Sequence, residues 1–532
     1  MNRRQFLAKS GMLLSAAALP RVLSAFDKTV DKSATRTDSH ISFETSDAVY
    51  QKVYASALDT LAHNTVTVSD YPEPVLIEGS NYAGIWLECA PQEGLVYADI
   101  RRDVARNNHL VFFALQKEDG QIPCWSRTNR IGFAQIQMAV PIAATAWELT
   151  QQTGDSELLE KAYASCSRWD AWLRHYRDTR KTALCEGFCC WDTGHDYSPR
   201  WAGMPNNCPD GDARKCPPVP SLPRLCPDLS ATVYGGRVAL AAMARATGKN
   251  SEADRWLADA DAMRSLILNK LYSADDAAFY DVDAQDKFVR VRSDVISRVF
   301  GEHVVDQKLF DTIYHRQIHN PKAFWGTYPL SSIALDDPKF VRPIPRNSWG
   351  GASQALTALR APRWMEHYGK PADLAHLMQQ WNNAILRAGK FLQQMDPVDG
   401  TFTNDTGDYS PAALVFLDFT WRLAGVRQVG TTLEWNVRPP KNKVSSTYRL
   451  QVGSAKTAEI KYASGNGELV LNGKVLYRTN NVVRLITDFD GRIQNVVGIA
   501  SETTKVSLHH ASGRVQKFSI ASNVSMTLQS HP

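Results

Sequence analysis

The segment Cys185–Trp201 reads CEGFCCWDTGHDYSPRW and sets two carboxylates, Asp192 and Asp196, between Trp191 and Trp201, with His195 and Arg200 beside them. Acids among flat rings suit a ligand with polar edges and apolar faces. A sugar is such a ligand, with hydroxyls around its rim and C–H groups above and below. Cleaving a glycosidic bond takes two carboxyl groups, one to protonate the leaving oxygen and one to activate water or attack carbon. Three further segments repeat the pairing. VLIEGSNYAGIWLECAPQEG carries Glu78, Trp86, Glu88 and Glu93; RPIPRNSWGG carries Arg346, Asn347 and Trp349; QQMDPVDGTFTNDTGDYSP carries Asp396, Asp399, Asp405, Asp408 and Tyr409. A single loop aspartate is ordinarily a turn residue or helix cap. The joint recurrence is what points to a carbohydrate site.

The elements that must hold these loops are helices. From about residue 45 to 425 the apolar period is helical: DSELLEKAYASCSRWDAWLRHY places Leu158, Leu159, Ala162, Cys166, Trp169, Leu173 and Tyr176 on one face. Roughly ten to twelve such segments occur, mostly in pairs joined by short turns such as QTGDSELLE, where Gly154 ends one helix and another begins. No fixed repeat period is present, so the pattern predicts a toroid of helical hairpins rather than a regular array. After about residue 426 the grammar changes to short strands with Asn472-Gly473 and Asp490-Gly491 turns, predicting a small β-sandwich over 426–532.

Residues 1–25 read as an export signal, with Arg3-Arg4 followed by Phe6-Leu7 in the manner of the twin-arginine type and an apolar run too short to span a bilayer. Passage through the twin-arginine export machinery and a periplasmic or secreted mature chain, 26–425 plus 426–532, are therefore expected. Arg3, Arg4, Lys9 and Arg21 supply four of the five net positive charges. The near-neutral remainder gives no electrostatic case for a nucleic acid or membrane partner. Six of the nine cysteines fall between Cys185 and Cys226 in a Pro- and Asp-rich stretch. In an oxidising compartment that crowding predicts disulfides, and no spacing matches a zinc-finger pair, so no metal or organic cofactor is expected.

WDTGHDYSPRW resembles the Glu-Ser-Gly-Trp-Asp-x-Ser-x-Arg-Trp signature of the trehalases and the related mannosylglycerate hydrolase-like glycosidases. Gly194, Asp196, Ser198, Arg200 and Trp201 match, with Asp192 in place of the Glu and His195 in place of the Trp. The resemblance implies an (α/α)6 barrel and an inverting mechanism with Asp196 as general acid. It also implies Trp86, Asp192, His195, Arg200, Trp201, Asn347, Trp349 and Tyr409 as sugar contacts. The families carry their catalytic base as a Glu shortly before Asp-Pro-x-x-Gly; here Gln393 occupies about that place, and a glutamine cannot serve as a base. Asp408 is the first candidate for the displaced base and Glu88 the second. A lyase or epimerase on the same toroid and a non-catalytic carbohydrate-binding protein remain alternatives, the last favoured by Gln393.

Overall fold

The computed structural model describes residues 40–403, 407–442, 444–453 and 456–528. The export segment and Asp405 lie outside the described residues. Twelve α-helices alternate between two rings. The outer ones are α1 (Ala48–His63), α3 (Arg102–Ala114), α5 (Ser156–Tyr176), α7 (Asn250–Lys270), α9 (Gln307–Ile313) and α11 (Pro371–Ala388). The inner ones are α2 (Ala90–Tyr97), α4 (Ile142–Thr153), α6 (Pro227–Ala246), α8 (Val295–Gly301), α10 (Ala355–Met365) and α12 (Ser410–Ala424). Each inner helix packs on the next, and α12 packs back on α2, so the inner ring closes. This is the (α/α)6 toroid.

Sequence explains the division. The outer helix α5 buries one face, Leu158, Ala162, Cys166, Trp169 and Leu173, and leaves the opposite one wet. The inner helix α12 is buried on nearly every side, and its residues are almost all apolar. Between α4 and α5 the turn is as the sequence implies. Gly154 takes the left-handed φ of 71° that a side chain would resist, and the Asp155 carboxylate accepts from Leu158 N at 2.9 Å.

The C-terminal part is a sandwich of two antiparallel sheets, one of seven strands and one of five among the described residues. The first strand, Ile41–Thr45, comes from ahead of α1 and pairs with Ser446–Val452 at the edge of the larger sheet, so the N-terminal end of the described chain is built into the C-terminal unit. A partly buried ion pair joins sandwich to barrel: both Arg484 terminal nitrogens reach the Glu366 carboxylate, at 2.7 and 2.8 Å, just past the end of α10. No described helix is long and apolar enough to cross a membrane.

The cysteine-rich segment is not cross-linked as expected. All nine cysteines are free, and the Cys189 and Cys208 sulfurs, 3.8 Å apart, are beyond the about 2.05 Å of a bond. The segment is held instead by backbone bonds, Cys190 N to Pro205 O and Cys208 N to Ala134 O, and by a buried Arg177–Asp192 pair at 2.5 Å. Eight of the nine thiols are buried, which is what a small apolar side chain does in a core.

Burial opposes ionisation of Glu366, but the Arg484 guanidinium outweighs it and holds the carboxyl down to about 2. A depressed folded-state value contributes stability that is full above the unfolded value of about 4.3 and is lost as the pH falls through about 2. Arg484→Met should therefore cost about 3 kcal/mol in urea unfolding at neutral pH, the usual effect of stranding one member of a buried pair. The gap to the parent should narrow below about pH 4. A gap independent of pH would mean that the pair does not hold the two parts together.

Candidate active site

The candidate residues lie on the segments that lead into inner helices. Glu88 and Cys89 precede α2, Gln137 precedes α4, the Asp192–Trp201 segment lies upstream of α6, Asp294 precedes α8, Asn347 and Trp349 precede α10, and Gln393, Asp408 and Tyr409 precede α12. The toroid therefore gathers segments far apart in sequence at one end of the ring, where the helix termini present partial positive charge.

Asp196 sits at the tip of a loop whose base is fixed by buried charge. Asp192 is fully buried: it pairs with Arg177 and accepts the backbone N–H groups of Ile136 and Phe188 at 2.8 and 2.7 Å. Arg200, 2% exposed, is gripped by Asp228 at 2.7 and 2.9 Å and by Asp281 at 2.9 and 2.5 Å. It also donates to His195 Nδ1 at 2.9 Å, which places the ring proton on Nε2, 3.0 Å from Asp294 Oδ1. Burial, reinforced by nearby Arg298, pushes His195 down to about 4, so the ring is neutral. Trp201 is buried too and donates to Thr193 Oγ1 at 3.0 Å. Asp192, Arg200 and Trp201, expected among the sugar contacts, thus have their polar groups engaged within the protein and present Asp196 rather than a ligand surface.

Asp196 adjoins Trp349, whose backbone N–H donates to Asp196 O at 2.9 Å and whose ring packs on His195 at 4.8 Å. Burial pushes the Asp196 carboxyl up to about 6, against hydrogen bonds from the side chains of Asn347 and Trp191. Those bonds belong to a directional relay. Tyr82 OH donates to Gln393 Oε1 at 3.0 Å, Gln393 Nε2 to Asn347 Oδ1 at 3.0 Å, and Asn347 Nδ2 to Asp196 Oδ2 at 2.9 Å. Gln393, read from sequence as a lost base, lies inside the site and fixes which way the Asn347 amide faces.

Glu88 shares this site. Its carboxyl packs on Gly194, where an added Cβ would overlap Oε2, so the glycine two residues before Asp196 is needed for the close approach. Gly194 also has a φ of 64°. Burial pushes Glu88 up to about 7; the Arg360 and Arg298 guanidinium groups work against that, while the Asp196 charge adds to it. The Gln137 side chain hydrogen-bonds it as well. Asp408 is placed differently. Its carboxylate accepts from Ser80 N at 2.9 Å and its carbonyl from Asn64 at 2.8 Å, pinning the 79–82 turn that carries Tyr82. Trp86 and Trp349 are buried in one apolar cluster with Cys89 and Leu356. Tyr409, 3% exposed, is buried with its ring against Tyr82 at 6.2 Å.

Tyr82, Gln137, Arg298 and Arg360 escaped the sequence reading. Tyr82 stands in the SNYAG turn already marked by its glycines, while Gln137 and the two arginines carry no local signal.

The comparisons with known proteins agree with this geometry. No curated protein matches the chain in sequence. Among solved structures, the GH63 mannosylglycerate hydrolase of Thermus thermophilus, bound to Tris and D-glycerate, is similar over 69% of this chain and all of its own, with 16% identity and a TM-score of 0.56. The neutral trehalase of Saccharomyces cerevisiae is similar over 69% of this chain and 80% of its own, with 12% identity and a TM-score of 0.52. The GH78 rhamnosidase of Bacillus sp. GL1 covers 82% of this chain and 42% of its own, at 13% identity and a TM-score of 0.56. These likenesses show the fold. The family model of the mannosylglycerate hydrolase MGH1-like glycoside hydrolase domain matches residues 95–412, more than half of the sequence, and the chain belongs to that glycoside hydrolase family.

Proposed function

We propose that the protein is exported through the twin-arginine route and hydrolyses a glycosidic bond of an oligosaccharide or glycoside with inversion, Asp196 acting as general acid and Glu88 as base. One observation carries the reading: the buried Glu88 carboxyl packs on Gly194, two residues before the half-buried Asp196, and burial moves both acidities close to neutrality. A hydrolase of this class needs one carboxyl that can give a proton and one that can take one, and environments of this kind poise both. Asp408 holds the neighbouring turn in this account and Gln393 orients Asn347, so neither need be a base.

In the reaction the sugar ring stacks in the aromatic pocket. Asn347 and Trp191 hold the Asp196 carboxyl, which gives its proton to the glycosidic oxygen as that oxygen's bond to the anomeric carbon breaks. Glu88 as carboxylate takes a proton from the water that attacks the opposite face. The competent form has Asp196 protonated and Glu88 ionised. Activity therefore falls at alkaline pH as Asp196 loses its proton through about 6, and falls at acid pH as Glu88 gains one through about 7. The product of the two is a narrow bell between these values in which a minority of molecules is competent.

Three outcomes are expected. Asp196→Asn should lower turnover by about two to four orders of magnitude on glycosides with poor leaving groups. It should lower turnover far less on activated aryl glycosides, which leave without a proton, and on those the alkaline fall should vanish. Equal losses on both substrate kinds would contradict the acid assignment. Gln393→Glu should reduce activity, since a carboxylate cannot donate to Asn347 Oδ1 and the relay would lose its direction; a gain would place the base at position 393 instead. Replacing Arg3 and Arg4 together by lysine should retain the protein in the cytoplasm, and undiminished export of that variant, seen by cell fractionation, would overturn the routing.

A further inference from the structure

Three buried groups of metal-ligating side chains occur among the described residues: Cys189 with Asp192 and Cys208, Cys226 with Asp228 and Asp281, and Glu78 with Cys89 and Glu93. The first two already hold a positive charge. Arg177 lies on Asp192, and Arg200 on both Asp228 and Asp281. In the third, among the described residues no lysine, arginine or histidine forms an ion pair with Glu78 or Glu93, and Arg360 acts on Glu93 only through its field. The donor atoms of this third group lie within 4.8 Å of one another, with Cys89 Sγ 2.8 Å from Glu78 Oε1. Glu93 is fully buried, and neither of its carboxylate oxygens has a hydrogen-bond partner. An unpartnered buried carboxylate beside a second carboxylate and a thiol is costly unless something positive sits among them.

We propose that Glu78, Cys89 and Glu93 bind a single divalent cation of the zinc class. The donor set selects the metal. A thiolate with carboxylates suits zinc, whereas magnesium and calcium take oxygen alone. The ligands bracket the segment that carries Tyr82, Trp86 and Glu88, so the ion closes the base of that excursion and fixes the wall of the pocket opposite Asp196. Burial and the mutual repulsion of these acids raise Glu78 well above its ordinary range, and burial takes Glu93 to about 8. That is the proton-holding state with which the metal competes.

The test is metal content and cobalt spectroscopy of the full chain. Protein folded with zinc present and passed through gel filtration should retain about one zinc per chain by mass spectrometry, and chelation should lower its melting temperature. Replacement by cobalt should give a sulfur-to-cobalt charge-transfer band in the near ultraviolet. Cys89→Ser should abolish the band. Glu93→Gln, nearly the same shape, should keep the fold by circular dichroism and weaken zinc binding about tenfold or more. Less than about 0.1 zinc per chain from zinc-containing buffer would overturn the proposal, leaving three groups that share protons. A cobalt–thiolate band that survives Cys89→Ser would overturn it equally, by placing the metal at one of the other two clusters.

Discussion

Arg200 is the interaction on which the site depends. A guanidinium removed from water is tolerable only when charge and hydrogen bonds are returned to it, and here Asp228 and Asp281 grip it from α6 and from the strand Asp281–Val282. Burial works against charging Asp228, yet the Arg200 guanidinium outweighs it and keeps the carboxyl well below the usual range. The one excess negative charge of this triad is met by Arg298, 3.5 Å from Asp228, which also donates to the Thr193 carbonyl. One charge network thus ties the inner helices α6 and α8 to the loop that ends in Asp196, and His195, neutral between Arg200 and Asp294, completes it.

That rigidity is what lets acidity be tuned on an otherwise acidic floor. Glu78, Glu88, Glu93 and Asp196 lie close enough to influence one another, and all are shifted upward with burial as the first cause. What distinguishes them is the donors each receives. Asp196 has an indole and an amide, Glu88 has two guanidinium fields and an amide, and Glu93 accepts no hydrogen bond and has only the Cys89 thiol nearby and the Arg360 field. Exposure of the floor to water would return each to its ordinary range and dissolve the difference between acid and base.

Much of this was legible in the sequence because it is local. Helical-period segments paired by short turns imply a toroid of hairpins, and the WDTGHDYSPRW motif marks Asp196 by type and setting. The role of Gln393 was visible only as a departure from a pattern. Its actual use needs Tyr82, 311 residues away, and Asn347, 46 residues away, and no local pattern reports such tertiary pairing. The motif also misled. Asp192, Arg200 and Trp201 stand near Asp196 in sequence, but they are buried because the loop needs them as its anchors, Asp192 on Arg177, Arg200 on Asp228 and Asp281, and Trp201 on Thr193. The cysteines were read from their crowding, whereas the Arg177–Asp192 pair and the backbone bonds to the 133–134 segment supply the order that cross-links were expected to give.

The central claim is that Asp196 and Glu88 face the scissile bond from two sides. A crystal structure of the Asp196→Asn protein with an uncleaved oligosaccharide would test it most directly. The account predicts the glycosidic oxygen within about 3 Å of the residue 196 amide and a water held by Glu88 on the opposite face of the same sugar ring. A glycosidic oxygen remote from residue 196, or an attacking water held by Asp408 with Glu88 bound only to sugar hydroxyls, would contradict it.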